Sequence, residues 1–351
     1  MALPTSFPAD ITNTTINEDL VNTSNKCPET ETDQMIYTVV PVYVLIISVL
    51  GIVLNILVLL VFWLHKKACT VPEIYLSNMA AADLLLMCFM PFWAVTIANK
   101  YSWFFGLHMC RLVNLCIVMN ANCSIYFLVL VSIDRFLALV HPLSHDRIRS
   151  RKCAQLGCVL VWCFGLILGI PTLICRKVKD YPETNSSECS FGCSPNVFYT
   201  NEGLQTVFGF IIPVAIISCC TVKIIQALKN RPVEGARIQK VEHKATFLVL
   251  VVLVAFLICW VPFHIMRMIE IFLRTGIIPG NSSCEVVRVF DICMHTFNYF
   301  AFFNSVLNPI LYVIVGKNFR TKMREVSKRY TETKSSSTRL TTSSASTKTS
   351  I

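Results

Sequence analysis

The sequence predicts an all-α fold: a seven-transmembrane helix bundle with a short amphipathic membrane-surface helix after the seventh span. Three observations lead there. Apolar residues make up 54% of the 351 residues and charged residues only 15%, far from a soluble globular composition. Seven apolar stretches are each long enough to cross a bilayer as a helix, the open form that satisfies its own backbone in lipid. Basic residues crowd one side of those stretches.

The predicted spans are Tyr37–Leu64, Ile74–Asn99, Leu112–Ile133, Cys153–Cys175, Gly203–Val222, Ala245–Met266 and Ile292–Gly316, and their only formal charge is Asp83. With Met1 outside, the inner loops and tail carry 22 Lys/Arg against 7 Asp/Glu, while the outer segments carry 9 against 13. Basic residues near span ends stay inside, so the amino end is expected outside. The net charge of +10 then reflects contact with the inner leaflet, and nucleic acid is a poor explanation for it. Residues 1–36 form an outer tail, 37–316 the bundle, 317–330 the surface helix and 331–351 an inner tail.

Glycan acceptors agree with that orientation: Asn13, Asn22, Asn185 and Asn281 each begin an Asn-X-Ser/Thr triplet and all fall outside. Asn122 also matches but lies within the third span. No cleavable signal is evident, since Met1–Asp10 lacks a basic start and an apolar core. Most of the 17 cysteines read as small apolar residues within spans. Outside stand Cys27, Cys110, Cys189, Cys193 and Cys284, in an oxidising compartment. A Cys110–Cys189 bond would pin the second outer loop across the bundle mouth, and Cys27 with Cys284 could tie the amino tail to the last outer loop. Cys193 is left over, and the sequence does not distinguish it from Cys189 as the partner of Cys110.

After Gly316, Phe319, Met323, Val326 and Tyr330 fall at helical spacing with Lys and Arg on the other face, which predicts a helix lying on the inner leaflet. No cysteine follows Cys293 to carry a lipid anchor. The tail beyond Tyr330 is Ser/Thr-rich and is expected to be disordered and open to phosphorylation.

Polar residues within the spans are costly, and they cluster. Asp83 carries an insertion penalty of roughly 2.5–3.5 kcal/mol at mid-membrane, and Asn55, Asn120, Ser124, Asn304, Ser305 and Asn308 are placed at its depth. These oxygens could hold a sodium ion, or form a hydrogen-bond network around a protonated Asp83; the residues leave both open. Pro262, two residues after Trp260, and Pro309, between Asn308 and Tyr312, break the ladders of the sixth and seventh spans. Arg135 closes the third span with two carboxylates in prospect, Asp134 beside it and Glu242 entering the sixth span. An Arg135–Glu242 bridge would tie the third and sixth helices together as a bistable element.

Asn55, Leu76 to Asp83, Cys110, Asp134-Arg135, Trp162, Pro213, Cys259 to Pro262 and Asn308 to Tyr312 resemble the landmarks of rhodopsin-like G-protein-coupled receptors, one set per span. Glu73-Ile-Tyr-Leu-Ser-Asn-Met-Ala-Ala-Ala-Asp83, Pro91-Phe-Trp-Ala-Val-Thr96, Leu130-Val-Ser-Ile-Asp-Arg135 and Tyr312-Val-Ile-Val-Gly-Lys317 are similar to bradykinin receptors, more to the intact-kinin type. Angiotensin receptors are the next most similar group.

The resemblance implies a plasma-membrane receptor for a short cationic, bradykinin-like peptide. It implies coupling to a Gq-class heterotrimeric G protein, with phospholipase C and calcium downstream, and a receptor kinase and arrestin acting at the phosphorylated tail. It assigns Glu270 and Asp291 to the peptide's amino-terminal arginine, Arg176 to a place near its carboxyl end, and Trp260, Phe256, Ile125 and Pro213 to the activation relay. Arg267, Arg274 and Arg288 stand near enough in sequence to pair with those acids instead. Phe136 and Thr221 stand where many relatives have Tyr, and Glu270 where Asp is expected.

Other seven-span classes fit less well. A retinal protein needs a lysine in the seventh span, and Ile292–Gly316 has none. A transporter or channel would bring internal repeats or several mid-span charges. His264 and His295 lack metal-ligand spacing, so no enzyme site is expected, and no cofactor beyond the sodium ion.

Overall fold

In the computed structural model, residues 31–66, 68–140, 150–182, 185–229, 236–275, 277, 284–314, 316 and 319–332 are described, except for the side chains of 31–34, 228–229, 236–246, 248–249 and 274. Seven of its helices are long and apolar enough to cross a membrane. They are α1 (Glu31–Leu64), α2 (Val71–Ala98), α3 (Gly106–Val140), α4 (Arg151–Cys175), α5 (Pro195–Thr206) continuing through a π turn at Val207–Ile211 into α6 (Ile212–Lys229), α7 (Ala236–Arg274), and α8 (Cys284–Phe302) continuing into α9 (Asn304–Ile314).

These helices overrun the apolar stretches at several ends. α3 extends seven residues past Ile133, so Asp134-Arg135 lies inside a helix and does not terminate it. α5 begins at Pro195, with Ser194 at the N-cap and Pro at the first turn, a start signal well outside the apolar run. α7 continues to Arg274, which carries Arg267 and Glu270 into the helix. The physical reason is common to all. Apolar length measures the bilayer's hydrocarbon, while the helix continues through the polar interface as long as its backbone bonds are made.

Packing is closest where side chains are absent. A Cβ on Gly165 would stand 2.7 Å from the Cys123 sulfur, and one on Gly169 would strike Leu115, so this Gly-x-x-x-Gly face lets α4 lie directly on α3. The inner core gathers Phe127, Phe256, Trp260, Tyr312 and Phe319; the outer core gathers Trp93, Trp103, Tyr299 and Phe302.

Outside the bundle, β1 (Arg176–Tyr181) and β2 (Ser186–Phe191) form an antiparallel hairpin, an addition to the helical plan, with Val178 opposite Cys189. It is held at two points, by Cys110–Cys189 and by Cys175–Cys193. The second bond resolves the leftover Cys193: its partner is Cys175, which reads as the last residue of the fourth span because it directly follows an apolar run. Cys284 is also disulfide-bonded, while Cys27 lies outside the described residues. At the inner face a helix over 319–332 docks its Phe319 and Met323 against the inner core, with Lys322 bonded to Glu73 at 2.8 Å and Glu325 to His65 at 2.9 Å.

Candidate ligand pocket and switch

Asp83 is wholly buried, and its carboxylate accepts four hydrogen bonds. Asn120 Nδ2 (2.8 Å), Ser124 Oγ (3.1 Å) and Ser305 Oγ (2.8 Å) donate to Oδ1, and Asn308 Nδ2 (2.9 Å) donates to Oδ2. α2, α3 and α9 thus converge on one group, as the sequence placed them. Asn55 donates instead to the Ser305 and Gly51 carbonyls. Asn304 is buried at the same level, and its Oδ1 has no hydrogen-bond partner among the described residues. The carboxylate and the two hydroxyls on it are oxygen donors of the kind that suits a hard monovalent cation.

At the inner end Arg135 pairs with its neighbour: Nη2 and Nε reach Asp134 Oδ2 at 2.6 and 3.1 Å. The side chain of Glu242 lies outside the described residues. Asp134 is thus the partner on view for Arg135, where the sequence offered two.

The relay residues meet in the middle of the bundle. Ile125, Phe256 and Trp260 are all buried, and the Phe256 and Trp260 rings stack at 5.8 Å. Above them a cavity of about 20 Å³ opens between α3, α5, the π turn and α7, lined by Asn122, Glu202, Gln205, Trp260, His264 and Arg267 among others. That is room for a water-sized group. Trp260 Nε1, Asn122 Oδ1 and Arg267 Nε, all on this lining, have no hydrogen-bond partner among the described residues. The π turn ahead of Pro213 contributes Gly209, close to Asn122, and frees the Phe208 carbonyl to accept from Tyr126 at 2.8 Å.

Toward the mouth, charge is buried rather than rimmed. Glu270 is 4% exposed and Arg267 also 4%. Arg267 Nη1 reaches Glu270 Oε2 and Nη2 reaches Glu202 Oε2, each at 2.5 Å, which joins α5 to α7. Glu202 was missed in the sequence because it stands one residue outside the apolar run; the Ser194-Pro195 start signal was the clue to its helical place. Asp291 is partly buried on α8. Nearby on α8, His295 Nδ1 meets the Tyr101 hydroxyl at 3.3 Å. Arg176, at the base of the hairpin, is buried with Nη1 donating to the Cys189 carbonyl at 3.2 Å. Burial pulls its guanidinium pKa down to about 10, with Arg267 adding to the fall and Glu202 and Glu188 opposing it. Asn185 sits exposed in the hairpin turn at φ 47°. Asn13, Asn22 and Asn281 lie outside the described residues.

A seven-helix bundle with a buried polar cluster around one carboxylate, an Asp-Arg pair toward the far end of α3, and prolines inside α7 and α9 defines a class. Residues 54–312 match the family model of the 7 transmembrane receptor (rhodopsin family), and the chain belongs to that family. Within it the chain is close to the kinin receptors. It is 43% identical to the human B2 bradykinin receptor over 328 residues, 92% of this chain and 83% of that protein. It is 45% identical to the B2 bradykinin receptor of Rattus norvegicus over 86% of this chain and 76% of that one. With the human B1 bradykinin receptor identity is 36%, over 85% of this chain and 84% of the relative.

Proposed function

We propose that this receptor binds a bradykinin-like cationic peptide at its outer face and activates a Gq-class G protein, with phospholipase C and calcium downstream. The observation that carries the reading is the buried acidic pocket: Glu202 and Glu270, both nearly inaccessible, with Asp291 on the neighbouring helix, in a chain so similar to receptors named for bradykinin. Buried carboxylates cost free energy unless a cation meets them, and Glu202 and Glu270 share the single guanidinium of Arg267, so a second cation is favoured there. Outer segments with more acids than bases would speed encounter with such a peptide.

In this reading Glu270 and Asp291 receive the peptide's amino-terminal arginine by charge-assisted hydrogen bonds, and Arg176 stands near its carboxyl end. Trp260 beneath the pocket passes the change to Phe256, Ile125 and Pro213, and α7 swings about Pro262. Asp83 with Asn120, Ser124, Asn304 and Asn308 holds a sodium ion in the inactive packing. The amino end faces outward with glycans on Asn13, Asn22, Asn185 and Asn281, and the inner tail takes phosphates that recruit arrestin.

The test is binding and calcium release with an arginine-starting kinin and the same peptide lacking that arginine. Glu270→Ala with Asp291→Ala should weaken the first far more than the second. Parallel losses for both peptides would show that these acids do not read the arginine.

A further inference from the structure

Arg267 stands where it competes with the ligand. Its two terminal nitrogens hold different carboxylates, Nη1 on Glu270 three residues along the same helix and Nη2 on Glu202 across on α5. A guanidinium prefers to give two parallel N–H groups to one carboxylate, and here neither acid receives that fork. The remaining Nε, adjacent to Nη2, is buried and has no hydrogen-bond partner among the described residues. The arrangement is satisfied in charge-pair distance and unsatisfied in hydrogen bonding.

Glu202, Arg267 and Glu270 are each about 95% buried, and the two acids share one guanidinium.

Resting on the reading that Glu270 receives the peptide's arginine, we propose that Arg267 is an internal counter-cation that occupies Glu270 until the ligand guanidinium displaces it. Arg267 then transfers wholly to Glu202. The exchange improves both pairs. Glu270 gains a fork from the ligand, and Arg267 gives its own Nε/Nη2 fork to Glu202, which satisfies the orphaned Nε. The cluster of four groups becomes neutral. Arg267 therefore sets specificity: a ligand without a strong cation cannot displace it, and an uncharged amino end leaves Glu270 bonded to the receptor's own arginine. Because Arg267 and Glu270 are both on α7 and Glu202 is on α5, the exchange gives up a bond within α7 and strengthens the bridge from α7 to α5.

The double variant Glu202→Gln plus Arg267→Gln tests this, because it removes one charge of each sign and leaves Glu270 as the single negative charge of the three. Affinity is measured for the arginine-starting kinin and for the same peptide lacking that arginine. The ratio of the two affinities should rise about tenfold, the scale of one charge-assisted pair freed from a competitor. An unchanged ratio, or equal shifts for both peptides, overturns the proposal. Arg267→Lys keeps charge and fold and serves if the double variant does not reach the surface. A lysine head cannot hold both carboxylates in the same geometry, so the ratio should again rise, by about threefold; no rise overturns the exchange. Glu270→Gln in the parent separates the two readings. If it leaves the preference for arginine intact, the ligand assignment itself fails. If it erodes the preference while the double variant does not raise it, only the exchange fails.

Discussion

At the scale of single residues, the carboxylates carry the sharpest expectations. Asp83 accepts four hydrogen bonds while wholly buried, so Asn308→Ala should cost about 2 kcal/mol, the worth of a bond to a charged acceptor, read as a lower thermal midpoint in detergent. Asp83→Asn keeps the shape and removes the charge. Sodium should weaken agonist binding to the parent and leave the variant unaffected; equal sodium sensitivity in both would end the cation assignment. Arg135 is held by Asp134 at 2.6 Å, so Asp134→Ala should release it and raise basal nucleotide exchange on added G protein at equal surface expression. The Asp83 partners were legible because intramembrane polar residues are rare, and each needs others at its own depth. Glu202 was not legible, because an acid next to an apolar run reads as rim until the helix start is found eight residues earlier.

The helices were legible as elements and less so in their ends. Hydropathy finds the part that lipid requires to be apolar; capping decides the rest, as Ser194-Pro195 does for α5. The glycine face of α4 belongs to this scale too. Gly169→Val would push a branched side chain into Leu115 and should destabilise the bundle by about 1–3 kcal/mol, measured as thermal midpoint, with the helix itself no worse formed. The hairpin was not legible at all: its six-residue strands carry charges and serines, some bonded across the pair as Ser187 is to Asp180, so no apolar alternation marks them.

For the whole molecule, the seven spans followed from apolar length, whereas the covalent frame of the mouth needed coordinates. Cys175–Cys193 closes a sequence separation of 18 residues, which contributes about 3 kcal/mol to holding the loop in a chain-entropy account. Changing both cysteines to Ser should leave surface expression supported by Cys110–Cys189 while loosening Arg176. A peptide with a free carboxyl end should lose more affinity than its amidated form; equal losses would mean that the bond supports the loop without placing the arginine.

The doubly fastened hairpin also bears on timing. Anchored to α3 by one sulfur bridge and to the end of α4 by another, it has little freedom to lift as a flap over the bound peptide. Departure must then wait on the outer ends of the helices moving apart. Residence time becomes a property of the bundle, set by how often α5 and α7 separate, and a tightly held agonist is one that keeps those two helices from drifting.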